Sequence, residues 1–125
     1  RRTLQAAYTF LMIEELVKRI FKARNEAHVR HWMTSSYAEH KTLGKYYEDV
    51  IGVLDELIET YQGTFGIIET LPDQTESMIK ALNEEMLWLN ENREKIANNI
   101  PALENIVDEL TGLHAKTLYK LENLR

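Results

Sequence analysis

His31-Trp32-Met33-Thr34-Ser35-Ser36-Tyr37-Ala38-Glu39-His40 is the stretch in which one long helical pattern stops and another begins. Upstream of it, Leu4, Tyr8, Leu11, Ile13, Leu16, Val17, Ile20, Ala27 and His31 recur at steps that keep one helical face apolar, which predicts a helix over 3–34. Downstream, Leu43, Tyr47, Val50, Ile51, Leu54, Leu57, Ile58 and Tyr61 predict a second helix over 37–62, with Gly63 as its stop. Ser36 stands where an N-cap belongs, and Glu39 completes the pattern of a capping box. The connection 63–74 holds Gly66, Pro72 and Asp73 and is long for a tight turn. Its Phe65, Ile67, Ile68 and Leu71 suggest a segment lying on protein.

Thr75 reads as the N-cap of a third helix over 75–97, whose core face is Ile79, Leu82, Met86, Leu89 and Ile96. Asn98-Asn99 ends it, and Pro101 opens a fourth helix over 101–123 with Leu103, Ile106, Leu110, Leu113, Leu118 and Leu121. The expectation is one all-α domain over 1–125. Paired helices of similar length, a tight break within each pair and a crossover between the pairs describe a four-helix bundle of the ferritin-like kind.

Composition narrows the function classes. The chain has 125 residues, 44% hydrophobic and 28% charged, the balance of an ordinary folded domain. No apolar run reaches the ~18 residues of a membrane span. The absence of cysteine removes disulfides, thiolate ligands and cysteine nucleophiles. A net charge of −5 argues against coating nucleic acid and leans toward cations. The chain opens on Arg1-Arg2 without a Met, so a longer or processed N-terminus is expected; no secretory apolar region is visible. Phosphate loops, dinucleotide fingerprints and nucleophile elbows are missing from the sequence. Trp32 and Trp88 read as packing residues.

Three of the four histidines, His28, His31 and His40, flank the break between the first two helices, and His114 stands alone. Along the second helix His40, Gly44, Glu48, Gly52, Asp55 and Glu59 fall on one stripe. Asp55 and Glu59, one turn apart, can reach the same cation, and imidazole with carboxylate suits iron, manganese or zinc. The stripe equally reads as the solvated face opposite the apolar one. Residues three before the histidines are Asn25, His28, Tyr37 and Thr111, so no Glu-x-x-His exists, and a di-iron site within one subunit is not expected.

The segments His31-Trp32, Glu39-His40-Lys41 and Asp55-Glu56-Leu57-Ile58-Glu59 resemble the Dps mini-ferritins over roughly residues 27–63. The resemblance implies an iron site between two subunits, with the helix histidine from one chain and the carboxylates from its two-fold mate. Its ligands would be His31, His40, Asp55 and Glu59, with Glu48 and His28 as further candidates. It also implies oxidation of ferrous iron, usually by peroxide, and storage in a homo-oligomeric, dodecameric shell. Two departures stand out. Gly44 occupies the position of a ligand Asp; Glu48, one turn on, is displaced by about 5–6 Å along the helix. The span from His31 to His40 is also shorter than in that family. The alternative is a non-catalytic oligomeric bundle of the same fold, a structural or virion component such as short phage-encoded proteins of similar sequence would supply. A cytoplasmic or virion-associated location follows from either reading, and DNA binding is not expected because no Lys-rich tail is present.

Overall fold

A computed structural model describes residues 4–71 and 77–124, the side chain of Ala6 excepted. The described residues are all-helical, with no strand: α1 Leu4–Met33, α2 Tyr37–Phe65, α3 Met78–Ala97 and α4 Pro101–Asn123. None of these helices is long and apolar enough to cross a membrane. The chain divides into two compact units, residues 1–74 and 75–125.

The first unit is an antiparallel hairpin of α1 and α2. Ile13, Val17, Leu54 and Tyr61 form its buried core, with Phe10, Ile20 and Ile58 against them. The two helices place these residues on facing stripes because their apolar positions repeat near the helical period. Leu4, Tyr8 and Leu11, expected on the same face, are exposed. The Tyr61 hydroxyl is buried without a hydrogen-bond partner among the described residues.

The turn between α1 and α2 follows the expected cap in part. Ser36 is the N-cap of α2, and its hydroxyl accepts from the Glu39 backbone N–H at 3.2 Å. The Glu39 carboxylate does not close the box onto the Ser36 N–H, which donates instead to Thr34 Oγ1 at 3.1 Å. It pairs with Arg30 Nε across the turn at 3.1 Å. Hydrogen bonding to Thr34 and then to Arg30 holds its pKa below the usual carboxylate value.

α2 runs past the expected stop at Gly63. It ends at Phe65, with Gly66 as the C-cap at φ 98° and its N–H donating to Gln62 O. Glycine at position 63 is tolerated inside the helix, whereas the positive φ at 66 is the true breaker. Ile68 and Leu71 then turn back onto the hairpin core, and Gln62 Oε1 accepts from the Ile68 N–H at 3.0 Å. No helical turn forms over 66–71.

The second unit is the hairpin of α3 and α4. The cap expected at Thr75 lies outside the described residues. The observed N-cap is Ser77, in extended backbone, whose hydroxyl accepts from the Lys80 N–H, so α3 starts at Met78. Asn98 and Asn99 both take left-handed backbone, which Asn tolerates, and Pro101 begins α4 as expected. Arg93 joins the helices, with Nε and Nη2 on the two Asp108 oxygens at 2.7 and 2.9 Å and Nη1 on Glu104 at 3.2 Å. That fork lowers the Asp108 pKa from its usual value.

The buried residues of this hairpin are Leu89, Ala97, Val107 and Leu118. Of the expected α3 face, Ile79 and Ile96 are exposed. Of the α4 face only Leu118 is buried; Leu103, Ile106, Leu110, Leu113 and Leu121 are exposed, and Val107 takes the contact instead.

Leu54→Ala removes a buried side chain from the first hairpin's core and should lower stability by about 2–5 kcal/mol. Urea unfolding followed by circular dichroism measures it. A loss below that of a surface substitution would contradict the assigned core.

Candidate metal centre

The turn between α1 and α2 brings His31 and His40 together. His31 Nδ1 donates to the His40 carbonyl at 2.6 Å, and His40 Nδ1 donates to the His31 carbonyl at 2.7 Å. A carbonyl only accepts, so Nδ1 is a protonated nitrogen in both rings, and the neutral ring keeps its lone pair on Nε2. The rings stack at 3.7 Å between centroids and 16° between planes. Each is half-buried at the rim of an open cleft of about 870 Å³ that also takes in Lys41, Lys45, Tyr47, Glu48 and Asp49.

Gly44 makes this arrangement possible. A Cβ built there would stand 3.0 Å from His31 Cε1 and 3.2 Å from its Nδ1. A side chain at 44 therefore competes with the His31 ring for the same space. The residue read as a missing ligand is the seat of a ligand candidate.

His28 sits one turn before His31 and faces other rings. It stacks on Tyr47 at 3.9 Å and 15°, and lies against Trp32 at 4.3 Å. Arg24 covers Tyr47 at 5.5 Å from the ring centre. Burial lowers the His28 pKa, with Arg24 and His31 adding to the effect and Glu48 opposing it. Trp32 and Trp88, expected as packing residues, are 68% and 53% exposed, and among the ring contacts of the described residues Trp32 packs only against His28, at the surface.

Asp55 and Glu59 are exposed and point away from the hairpin core, as the stripe implied. Asp55 is fifteen residues beyond His40 on α2, about 22 Å at 1.5 Å per residue. Among the described residues no three His, Asp or Glu side chains converge on a metal-sized site. One chain thus unites His31 and His40, and keeps Asp55 with Glu59 elsewhere. Glu48 is exposed on the cleft rim. His114 donates from Nδ1 to Leu110 O within α4 at 2.7 Å.

The reciprocal histidine bonds and the role of Gly44 were not readable beforehand. The signal was available in part: two histidines nine residues apart across a capped break must lie near one another once the helices fold back.

The chain belongs to a family of unknown function (DUF5856), whose model matches residues 31–121. That span contains His31, His40, Gly44, Glu48, Asp55 and Glu59. No curated protein and no solved structure matches the chain.

Two outcomes follow from this geometry. Gly44→Ala should push the His31 ring aside by a few tenths of an ångström and weaken its Nδ1 hydrogen bond, offsetting the ~0.5–1 kcal/mol that Ala gains inside a helix; an unshifted His31 Nδ1 proton resonance in NMR would show that the ring has room. The depressed His28 pKa means that the unfolded chain binds a proton more readily. Its contribution to stability is therefore complete above the ordinary histidine pKa and declines as pH falls through the range between the two values. An NMR titration should place His28 below an exposed histidine, and a normal value would contradict the stacked, desolvated ring.

Proposed function

We propose that this chain is a ferritin-like, Dps-related protein that takes up ferrous iron between two subunits and oxidises it for storage or detoxification. In this reading a long crossover joins the hairpins into one four-helix bundle. Self-association through two-folds builds the site, and a closed, dodecameric shell holds the product. Manganese and zinc suit the same donors. The setting is the cytoplasm or a virion.

One observation carries the proposal. His31 and His40 each use Nδ1 on a carbonyl, the arrangement that fixes tautomer and aim in metal-ligating histidines, and each keeps Nε2 for an ion. Lone pairs lie in the ring planes, so rings stacked at 16° do not aim at one common ion. The pair suits one imidazole per ion, with carboxylate oxygens completing each. Asp55 and Glu59 of the same chain lie too far along α2 to serve. A two-fold mate is the natural source.

A second reading has its own support. Both histidines close the hairpin with backbone bonds and Gly44 fits the stack, so the pair performs a structural task without any metal. In that reading the protein is a non-catalytic oligomeric or virion component of the same fold.

Ferrous titration of the metal-stripped protein separates them. Iron binding at one or two ions per subunit, with rapid oxidation on peroxide addition, is expected. Asp55→Ala with Glu59→Ala should remove binding and leave helical circular dichroism intact, since both side chains are exposed. Wild-type protein that binds no iron above background would establish the structural reading.

A further inference from the structure

Tyr61 is 4% exposed although it stands about one turn from the end of α2. Two helices packed side by side leave the edges of their seam open, and Ile58, one turn earlier on the same face, is only half-buried. The segment 66–71 returns over the hairpin at this end. Its Ile68 and Leu71 pack on the cluster of Ile13, Val17, Leu54 and Tyr61.

That apolar cover meets a polar group. The Tyr61 hydroxyl is buried with no hydrogen-bond partner among the described residues, and a hidden, unpaired hydroxyl forfeits its bonds to water. The covering segment also carries its own hinge and latch. Gly66 has φ 98°, and glycine crosses between positive and negative φ without a Cβ clash. Beyond it, the Ile68 N–H donates to Gln62 Oε1 at 3.0 Å, a bond to a side chain of the last turn of α2. Ile67, Glu69 and Thr70 face solvent.

We infer that 66–71 is a strap that swings about Gly66 between two states. In the closed state Ile68 and Leu71 cover Tyr61; in the open state water reaches the Tyr61 hydroxyl. Burying two aliphatic side chains favours closure, whereas the dry hydroxyl shifts the equilibrium toward opening by roughly five- to a hundredfold. The opposition keeps the strap from locking. Opening leaves α1 and α2 paired, because Ile13, Val17 and Leu54 still pack between them. It frees 66–71 to extend, which adds about 20 Å of reach to the chain leaving the first compact unit. The strap thus sets the length of the tether between the two units. This regulation is independent of the histidine pair and of the iron reading.

The test is amide hydrogen exchange on the full chain, read by NMR, with Tyr61→Phe. Phenylalanine fills the same space without the hydroxyl, so closure is no longer opposed, and protection of the Ile68 amide should rise roughly tenfold. The amides of Val17 and Leu54, which exchange only when the hairpin opens, separate this from a general gain in stability. Slower exchange at Val17 and Leu54 with Ile68 unchanged would mean that the hydroxyl is dry whether or not the strap is closed, and overturns the inference; so does no change at any of the three. A second variant, Gln62→Ala, removes the latch acceptor and suits a helix. Nitration by tetranitromethane, mapped by peptide mass spectrometry, should then rise several-fold at Tyr61 and stay level at Tyr47. Tyr61 nitration equal to wild type, or an equal rise at both tyrosines from a loosened hairpin, refutes the strap.

Discussion

Two imidazole-to-carbonyl hydrogen bonds, His31 to His40 and His40 to His31, constrain everything around the first turn. They tie the end of α1 to the start of α2, fix both tautomers and place the His31 ring where a Cβ at position 44 would press on it at 3.0 Å. Buried or half-buried polar groups gain from such pairing because leaving them unpaired is costly. The same bonds that close the hairpin leave two Nε2 atoms uncommitted. Structure and candidate chemistry therefore share one device, and beside it Tyr47 meets His31 edge-on and stacks on His28.

The remaining architecture shows how little each hairpin buries alone. In the second, four small or medium residues, Leu89, Ala97, Val107 and Leu118, are buried, while the row Leu103, Ile106, Leu110 and Leu113 is exposed. Two helices of this size do not make a self-sufficient core. An apolar row at helical spacing asks for a covering partner.

Most helix positions were legible in the sequence because local chemistry sets them. Ser36 capping α2, the Asn98-Asn99 break and Pro101 at the start of α4 each act within a few residues. Gly63 misled because glycine marks a stop only where positive φ is needed, and that need falls at Gly66. The exposed side of Asp55 and Glu59 followed from helical phase. The α4 contact face did not, because a leucine row and an adjacent Val107–Leu118 row are both apolar, and periodicity cannot choose between them. The crossed histidine bonds and the fit of Gly44 beneath His31 depend on how two helices meet, which no single-helix pattern encodes. Glu39 likewise kept its place but took Arg30 and Thr34 as partners across the turn.

The claim that the site is built from two chains is tested most directly by subunit complementation. A chain with His31→Ala and His40→Ala is refolded together with a chain carrying Asp55→Ala and Glu59→Ala, and ferrous binding is compared with each alone. The account predicts that neither variant binds by itself and that the mixture regains binding, because mixed dimers contain one site with all of its ligands. Wild-type binding by either variant alone, or no recovery in a mixture whose mixed dimers are verified by native mass spectrometry, would contradict it.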